Sequence, residues 1–446
     1  MKQLIFSKDD VLKFARENKV KSIRLMFMDL MGINKNVEIP VEDLKIALNG
    51  EIMFDGSSIE GFSRIEESDM FLMPDPSSFV IFPWSKNTDR KVARLICDIV
   101  TPEGDAFGGC PRGILKKVIE EAEEMGYVMS AGPEAEFFIF HLDENGRPTV
   151  RTHDHGGYFD LLPVDKGEEA RKDIVYYLEE MGFKVEASHH EVAPGQHEID
   201  FKYSNVLTTA DNLSTFRLVV KMVAYEHGLH ATFMPKPIYG INGSGMHTHQ
   251  ALFHNGNNVF FDDKKDNKLS DLCLNYIAGL LEYASEYTAV TNPLVNSYKR
   301  LVPDYEAPVY IAWSEKNRSP LVRIPAPRGQ STRVELRSPD PACNPYLSFA
   351  LMLKAGLEGI KRNMTPPPAV NENIYAMTPA QLKKAKIKTL PKNLLEAVEN
   401  MEKSKFVKET LGEHVFNNFV SAKKLEWNLY NQAVHNWELN RYLATY

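Results

Sequence analysis

The segments GPEAEFFIF (residues 132–140) and GQHEIDF (residues 195–201) decide how the larger part of this chain folds. In a β-strand successive side chains point to opposite faces, so residues two apart share a face. Each segment therefore places two carboxylates on one face and apolar residues on the other. Residues 245–253 (GMHTHQALF) and 332–337 (TRVELR) repeat this alternation with histidine, arginine and glutamate. We predict four strands with one polar face each.

The shared polar faces indicate a cavity. They carry Glu134, Glu136, Glu198, Asp200, His247, His249, Arg333, Glu335 and Arg337. A strand exposed to water would show the same alternation, and for any single segment that interpretation is equally good. Four such segments instead favour a sheet with helices on its apolar face and a cavity on its polar face. Carboxylates crowded there repel one another, so cations are needed to neutralise them.

The ligand types favour hard divalent cations. Carboxylate oxygens with one imidazole suit Mg²⁺ or Mn²⁺, whereas zinc sites usually carry more His or Cys. Glu191 is a further candidate ligand, because a Pro-Gly loop separates it from Glu198. The adjacent His189 and His190 diverge on an extended segment, so we favour hydrogen bonding over metal ligation for them.

A group of arginines adds a preference for anions. It consists of Arg300, Arg318, Arg323, Arg333 and Arg337. A surface salt bridge would explain any one of them. Arginine forks match carboxylate and phosphate oxygens, so metal ligands beside arginines indicate a site for nucleotide phosphates and an anionic substrate. The sequence has neither a Walker-type phosphate loop nor G-x-G-x-x-G, so cations would have to do that work.

Length and composition set the frame for this site. A chain of 446 residues predicts at least two domains, and a net charge of −8 argues against nucleic acid or anionic membranes as main partners. The amino terminus lacks a secretory apolar stretch, and no run reaches membrane-spanning length. Four scattered cysteines without a C-x-x-C pair favour buried free thiols in a reducing cytoplasm.

The predicted elements alternate between helix and strand. Strands are expected at residues 22–29 and 92–100, and a linker near residue 108. Helices are expected at residues 8–18, 111–125, 168–181, 209–227, 270–288, 344–361 and 413–440. Gly126 and Gly182 stand where two of these helices should end.

Eight motifs in one order resemble the type I glutamine synthetase family, most closely the group found in Firmicutes. They are FDGSSIEGF (54–62), GPEAEFF, GGYFD (156–160), HHEVAPGQHEID (189–200), NGSGMHTH (242–249), NSYKRLVPDYEAP (296–308), NRSPLVRIP (317–325) and STRVELR (331–337). The resemblance spans residues 15–446. It implies an α+β fold with a small β-grasp-like domain at residues 1–107. A catalytic domain at residues 108–446 would follow, with a curved antiparallel sheet covered by helices and a helical carboxyl-terminal tail.

The resemblance implies a cytoplasmic ligase that uses ATP as co-substrate and two to three Mg²⁺ or Mn²⁺ ions per active site. Ammonia would displace phosphate from γ-glutamyl phosphate. Glu136, Glu191 and Glu198 match the ligands of an inner metal, and Glu134, His247 and Glu335 those of a metal between the nucleotide phosphates. Asn242, Gly243, Arg300, Arg318 and Arg337 match glutamate and phosphate contacts. Glu186, Phe201, Tyr203, His249, Arg318, Arg323 and Arg333 match positions around the nucleotide.

The same resemblance assigns the ammonium site to two parts of the chain. Asp55 matches the base for ammonium, with Tyr158 and Glu191 beside it, although Asp-Gly-Ser-Ser is also good turn chemistry. Glu306 matches a flap residue that closes over the intermediate. Family members place the small domain against the cavity of a neighbouring subunit in two stacked six-membered rings, which implies a shared active site.

One residue implies how the enzyme is regulated, and three positions differ from the family pattern. Arg64 matches a residue tied to feedback inhibition by glutamine, so we expect that control. Lys388 stands where some members carry an adenylylated tyrosine, so we expect no adenylylation. Gln330 and Ala251 replace Lys and Ser near the nucleotide. Nitrogen-regulatory transcription factors are conceivable partners.

Two other functions are consistent with these motifs. A γ-glutamyl amine ligase of the same fold would accept an alkylamine, but the retained Asp55 and its turn favour ammonia. A binding or regulatory protein that has lost the chemistry is disfavoured by the complete ligand set.

Overall fold

The computed structural model describes residues 7–59, 69–303, 307–317 and 319–446. Its first hundred residues form one five-stranded sheet with the order β2-β1-β5-β4-β3. The strands are β1 (Val20–Met28), β2 (Asn34–Pro40), β3 (Ile52–Asp55), β4 (Asp69–Ile81) and β5 (Lys91–Val100). Strands β1 and β5 are parallel and the other pairs antiparallel. The strands expected at residues 22–29 and 92–100 are confirmed as β1 and β5.

Two short helices cover this amino-terminal sheet. They are α1 (Lys8–Glu17) and α2 (Leu44–Leu48). Val11 and Ala15 of α1 are buried in one apolar cluster with Leu25 of β1 and Leu95 of β5. Ser7 caps α1 by accepting a hydrogen bond from the backbone of Asp10, as expected of serine before a helix. This part of the chain thus has a core of its own.

The larger part of the chain contains two further sheets. Their strands are β6 (Val128–Ala135), β7 (Phe137–Leu142), β8 (Pro148–Thr152), β9 (Val185–His190), β10 (Gln196–Phe201), β11 (Ser204–Asn205), β12 (Leu229–Thr232), β13 (Met246–His254), β14 (Asn257–Asn258), β15 (Tyr310–Ser314), β16 (Pro320–Arg323), β17 (Val334–Leu336) and β18 (Lys388–Thr389). One sheet has the order β12-β7-β10-β9 with β8 beside β7, and the other the order β11-β6-β13-β17-β16-β15-β18 with β14 beside β13.

The α+β class is confirmed. Among the described strands of the larger part, the sheet that contains β10 is antiparallel throughout, whereas the eight-stranded sheet is mixed, because β15 and β16 pair in parallel and its other pairs are antiparallel. The chain passes from one sheet to the other at Glu136, the single residue between β6 and β7. The amide of Glu136 donates to the carbonyl of Gly245 at 3.1 Å, which ties this crossing point to the start of β13.

Helices pack around these sheets. They are α3 (Pro111–Glu124), α4 (Glu168–Met181), α5 (Val206–Glu226), α6 (Asp271–Glu282), α7 (Ala284–Thr291), α8 (Ser297–Arg300), α9 (Pro345–Lys361), α10 (Pro379–Lys384), α11 (Leu394–Glu402), α12 (Lys405–Gln432) and α13 (Asn436–Tyr442). Helix α4 ends as predicted at Gly182, which has φ +97°. Every helix in the part of the chain described above is too short or too polar to cross a lipid bilayer.

Three helices differ from their predicted bounds for local reasons. Helix α5 begins at Val206 because the Asn205 side chain accepts from the Thr208 amide at 3.0 Å. The helix predicted at 270–288 is divided into α6 and α7. The helix predicted at 413–440 ends at Gln432, and a separate helix, α13, begins at Asn436; α12 also starts earlier, at Lys405, with an interruption at Gly412, whose φ is +77°.

One buried arginine joins the amino-terminal sheet to the helices of the larger part. Arg112 of α3 lies 2.7 Å from Asp75 of β4, 3.0 Å from Asp98 of β5 and 3.0 Å from Asp211 of α5. Three carboxylates from three elements thus meet one guanidinium. This contact fixes how the first sheet sits on the catalytic helices.

Candidate active site

Strand pairing brings Glu134, His247 and Glu335 together. Glu134 of β6 is the direct neighbour of His247 on β13, and His249 of β13 pairs with Glu335 on β17. His247 Nδ1 lies 3.4 Å from Glu134 Oε2 and 3.9 Å from Glu335 Oε1. One ligand atom of each of the three residues lies within 4.8 Å of the others. We call these three residues the imidazole cluster.

The imidazole cluster has the protonation states that a cation requires. Burial alone would raise the pKa of Glu134, but hydrogen bonds from His247 and His249 bring it well below its usual range. Burial would raise the pKa of Glu335, but the electrostatic effect of nearby His247 and His249 is stronger, so the pKa of Glu335 is lowered. Burial, followed by the charge of Arg337, lowers the pKa of His247 and favours the neutral imidazole. Two carboxylates and a neutral imidazole fit Mg²⁺ or Mn²⁺.

A second acidic group lies on the neighbouring sheet. Glu198 of β10 pairs with His189 of β9, and His189 Nε2 lies 3.4 Å from Glu198 Oε1. His189 Nδ1 lies 3.6 Å from Glu191 Oε1, and the three residues offer ligand atoms within 4.8 Å of one another. We call Glu191 and Glu198 with His189 the carboxylate cluster.

Glu136 faces the same region through different contacts. Its Oε2 accepts from Gln196 Nε2 at 2.7 Å and from the Gly245 amide at 3.0 Å. Burial, and then the charges of Glu191 and Glu198, raise the pKa of Glu136 well above its usual range. A divalent cation would relieve this repulsion, so the donor set fits a metal here too.

A cavity of about 390 Å³ opens beside the imidazole cluster. Five of the residues expected around the nucleotide line it: Glu186, Phe201, Tyr203, His249 and Arg333. Glu134 also lines it, so the cavity and the imidazole cluster share a wall. Gln330 and Ala251, two of the three departures from the family pattern, lie in its lining as well.

A smaller pocket lies on the other side of His247. It is lined by Glu136, Glu191, Gln196, Asn242, Gly243, His247, Arg300 and Ala307. The guanidinium of Arg300 is buried and donates to the carbonyls of Ser338 at 2.8 Å and Pro339 at 3.2 Å. Those bonds hold the arginine at the pocket wall.

Arg323 and Arg337 approach the imidazole cluster from a third side. Arg337 Nε donates to Glu335 Oε1 at 3.1 Å, and Arg323 Nε donates to Glu335 Oε2. Arg323 is not among the described residues that line the 390 Å³ cavity. Two guanidinium groups thus lie beside the Glu335 carboxylate.

Asp55 and Tyr158, two of the residues expected at the ammonium site, are both exposed. Asp55 ends β3 and is exposed, and its Oδ1 accepts from the Ser57 amide at 2.9 Å and the Ser57 hydroxyl at 2.6 Å. The Tyr158 ring is exposed and stacks on Phe159 with centroids 3.9 Å apart. It also meets His189 edge-on at 5.6 Å. Arg64, Glu306 and Arg318 lie outside the described residues.

Gln196 belongs to the site although the sequence analysis did not name it, and Asp200, predicted only as a polar-face residue, lines the 390 Å³ cavity. Both share a strand face with Glu198 in GQHEIDF, so the period of two already pointed to them. Burial and then the charge of Glu134 raise the pKa of Asp200 to about 7. The polarity of a strand face predicted their location but not their contacts.

The chain is similar to known proteins in both of its parts. Residues 19–102 match the family model for the β-grasp domain of glutamine synthetase, and residues 108–442 match that for its catalytic domain. The β-grasp expectation is thereby confirmed. Glutamine synthetase of Thermus thermophilus is 57% identical over 444 residues, covering 99% of this chain and 100% of the relative. That of Staphylococcus aureus is 54% identical over 447 residues, covering all of both chains.

Two solved structures resemble this fold over nearly the whole chain. The GmaS/ADP complex has a TM-score of 0.88 at 31% identity and covers 97% of this chain and 99% of that one. Plasmodium falciparum glutamine synthetase has a TM-score of 0.88 at 26% identity and covers 99% of this chain and 100% of that one.

Proposed function

The chain belongs to the glutamine synthetase family, as an ATP-dependent ligase that joins ammonia to the γ-carboxylate of L-glutamate, and from this premise we propose how its residues share that reaction. The products are glutamine, ADP and phosphate, and γ-glutamyl phosphate is the intermediate. The observation that carries the proposal is the position of Glu134, which belongs to the imidazole cluster and also lines the 390 Å³ cavity. Metal ligands and nucleotide cavity thus share a residue.

Two divalent cations, Mg²⁺ or Mn²⁺, are held by the two sheets in this proposal, and a third can accompany the nucleotide. Glu134, His247 and Glu335 hold one ion, and Glu136, Glu191 and Glu198 hold the other. Bound there, the ions neutralise phosphate charge during transfer. The buried, mutually repelling carboxylates support this assignment, because their ionised forms need a cation.

The chain's own side chains bind and orient the three substrates. Glu186, Phe201, Tyr203 and His249 enclose the nucleotide, with Arg318, Arg323, Arg333 and Arg337 on its phosphates. Asn242, Gly243 and Arg300 bind glutamate in the smaller pocket. The bonds of Arg300 to two carbonyls support its role, since a guanidinium fixed in advance loses less entropy on binding a carboxylate.

Ammonium use rests on residues from two subunits in this proposal. Asp55 accepts a proton from ammonium, while Tyr158 and Glu191 complete the cation site and Glu306 closes over the intermediate. Asp55 belongs to a separate amino-terminal domain, residues 1–107, that packs against a neighbouring subunit's catalytic domain, residues 108–446. Two stacked hexameric rings would supply that neighbour.

Assembly is tested by size-exclusion chromatography with light scattering on the active enzyme. We expect a mass near twelve chains with activity in the same peak. A stable, active monomer contradicts a shared active site. The exposed apolar side chains of the tail, Leu429, Val434, Trp437 and Leu443, support burial in such an assembly.

Location and control complete the proposal. We place the enzyme in the cytoplasm, where its four buried thiols stay reduced. Feedback inhibition by glutamine is assigned to Arg64, and contact with nitrogen-regulatory transcription factors stays a prediction. Arg64→Ala should release inhibition by glutamine without loss of activity in its absence.

The choice of ammonia over an alkylamine is tested by phosphate release. The enzyme is given ATP, Mg²⁺ and glutamate with either ammonium or methylamine, and a polyamine serves as a third arm. We expect ammonium to give the faster turnover. Faster turnover with either amine would assign the chain to γ-glutamyl amine ligation instead.

A further inference from the structure

A buried polar network lies behind the carboxylate cluster. It consists of His153, Asp154, Asp165, Arg171, His190 and His197, all with little or no exposed surface. The carboxylates of Asp154 and Asp165 are completely buried. Burying two carboxylates is costly unless each is paired and hydrogen-bonded, so this network has a specific arrangement to maintain.

Asp154 holds both ends of the loop that joins β9 to β10. Its Oδ1 accepts from the Gly195 amide at 2.9 Å, at the end of the loop, and from His190 Nε2 at 3.2 Å, at its start. His190 Nδ1 donates in turn to the Glu191 carbonyl at 2.6 Å. Oδ2 of Asp154 lies 3.0 Å from His153 Nε2 on its other side.

That loop carries or adjoins two of the three residues assigned to the inner metal, Glu191 and Glu198. Glu191 lies at its start, Gln196 at its end contacts Glu136, and Glu198 follows two residues later on β10. The loop is closed by the Glu191 amide donating to the Gln196 carbonyl at 2.8 Å. Gly195 takes φ +70°, and a Cβ there would stand 3.0 Å from the Ile139 carbonyl, so a side chain at this position would be strained.

Part of the network has donor types that could themselves bind a cation. One atom from each of His153, Asp154, Asp165 and His197 lies within 4.8 Å of the others. Arg171 Nη1, however, lies 2.8 Å from Asp165 Oδ2 and donates to His197 Nδ1 at 3.0 Å. An imidazole that accepts at Nδ1 carries its proton on Nε2 and has no lone pair there for a metal. The guanidinium already supplies the positive charge.

We propose that Asp154 is a positioning residue for the inner metal site, which it organises through His190 and the Gly195 amide. This inference rests on the proposed function, which makes Glu191 and Glu198 metal ligands. Residues that orient metal ligands from behind are typically important for affinity, and their replacement weakens metal binding by about 10–100-fold. Asp154 does this from the far side of the strands and touches neither metal nor substrate.

The test is Asp154→Asn in the intact enzyme, with Mn²⁺ as the probe. Asn keeps the size of the side chain but loses the carboxylate charge that accepts from His190 and the Gly195 amide. We expect the Mn²⁺ dissociation constant, measured by calorimetry, to rise about tenfold with unchanged stoichiometry. At saturating Mn²⁺ we expect kcat to recover to within about twofold of wild type, because the ligands themselves remain.

Asp211→Asn is the matched control, since Asp211 is also a buried, ion-paired aspartate but contacts Arg112, away from the site. It should lower the thermal unfolding midpoint without changing the Mn²⁺ constant. His190→Gln provides a second test if Asp154→Asn does not fold, and it should weaken Mn²⁺ binding in the same direction. An unchanged constant in a folded variant overturns the inference, as does an equal change in Asp211→Asn or the loss of a whole equivalent of bound Mn²⁺.

Glu198→Gln separates this inference from the proposed function. If Glu198→Gln leaves Mn²⁺ binding unchanged, the ligand assignment itself is wrong, and the positioning role falls with it. If Glu198→Gln weakens Mn²⁺ binding while Asp154→Asn does not, the ligand assignment stands and only the positioning role is overturned.

Discussion

His249 Nε2 lies 2.7 Å from Glu134 Oε1, and this contact links the lining of the 390 Å³ cavity to the imidazole cluster. The other ring nitrogen of His249 accepts from Arg333 Nε at 3.2 Å. With Nδ1 accepting, the proton lies on Nε2 and is donated to the carboxylate. His249 thus orients one metal ligand while it forms part of the cavity wall.

We predict that His249→Ala weakens ATP use. Loss of a hydrogen bond to a charged group costs about 1.5–3 kcal/mol, so the KM for ATP should rise by roughly tenfold or more. The KM for glutamate should change less. Steady-state kinetics with ATP varied at saturating glutamate measures this.

The control for that variant lies on the same strand. His254 ends β13, is exposed and bonds to the Gly126 carbonyl at 2.7 Å, outside the cavity. His254→Ala should leave the KM for ATP unchanged. Equal KM values for wild type and His249→Ala would remove His249 from the nucleotide site.

Metal removal should destabilise the enzyme. Glu136 and Glu198 are buried beside other carboxylates, and a bound cation offsets their repulsion. A cation at about one hundred times its Kd stabilises the folded state by about 2.7 kcal/mol. The thermal unfolding midpoint should therefore fall in EDTA and recover with Mg²⁺. NaCl at matched ionic strength is the control, and an unchanged midpoint would contradict the two metal assignments.

Asp55→Ala should separate ammonium use from phosphate transfer. If Asp55 takes a proton from ammonium, its loss should reduce glutamine formation by about 10²-fold or more, and glutamate-dependent phosphate release by less. Both products are measured in the same reaction. Asp69, which pairs with Asp55 across β3 and β4 and is also exposed, provides the control as Asp69→Ala. Equal losses of both products in Asp55→Ala count against the role of a base.

Arg112→Met should destabilise the fold more than the site. The change leaves Asp75, Asp98 and Asp211 without their shared cation, and breaking a buried ion pair on one side costs about 3–5 kcal/mol. Lys116 lies one turn later, pairs with Asp98 at 2.8 Å and is partly exposed. Lys116→Met should cost about 0–1 kcal/mol. Comparable midpoints of thermal unfolding for the two variants would refute the role of Arg112.

Acid should act through the same contact. Burial raises the pKa of Asp75, but hydrogen bonds from Ser77 and the charge of Arg112 outweigh it, so the folded pKa is below the usual 3.8. A depressed pKa stabilises the fold above the unfolded value, and that stability is lost as the pH falls through the folded value. As the pH is lowered below about 4, the thermal unfolding midpoint of wild type should therefore fall more than that of Asp75→Asn. Parallel curves would show that Asp75 does not contribute.

The sequence predicted the site better where neighbours lie on strands than where they lie on loops. The alternation of side chains along a strand predicted that Glu134 and His247 lie on polar faces, and strand pairing makes them direct neighbours. It could not show that the chain changes sheets at Glu136, because GPEAEFFIF has no glycine or proline at that position to mark a break. The contact of Glu136 with Gln196 depends on that change.

Contacts between distant segments were beyond prediction for a different reason. Arg112 follows Pro111 in an ordinary helical pattern, and nothing local identifies Asp75 or Asp211 as its partners. Asp154 likewise reads as a loop residue in THDHGG, although its carboxylate is completely buried. Such pairings follow from the packing of whole elements, which local periodicity does not specify.

The change of sheets at Glu136 determines what sets the distance between the two proposed metals. In the proposal, the ligands of one ion lie on strands of the eight-stranded sheet, whereas for the other ion Glu198 lies on β10 of the second sheet, Glu191 in the loop before β10 and Glu136 at the crossing point. Their separation is therefore governed by the angle at which the two sheets pack. Phe137 and Ile199 are fully buried beside that junction, so a change in the volume of either could retune the geometry of phosphoryl transfer while every ligand stays in place.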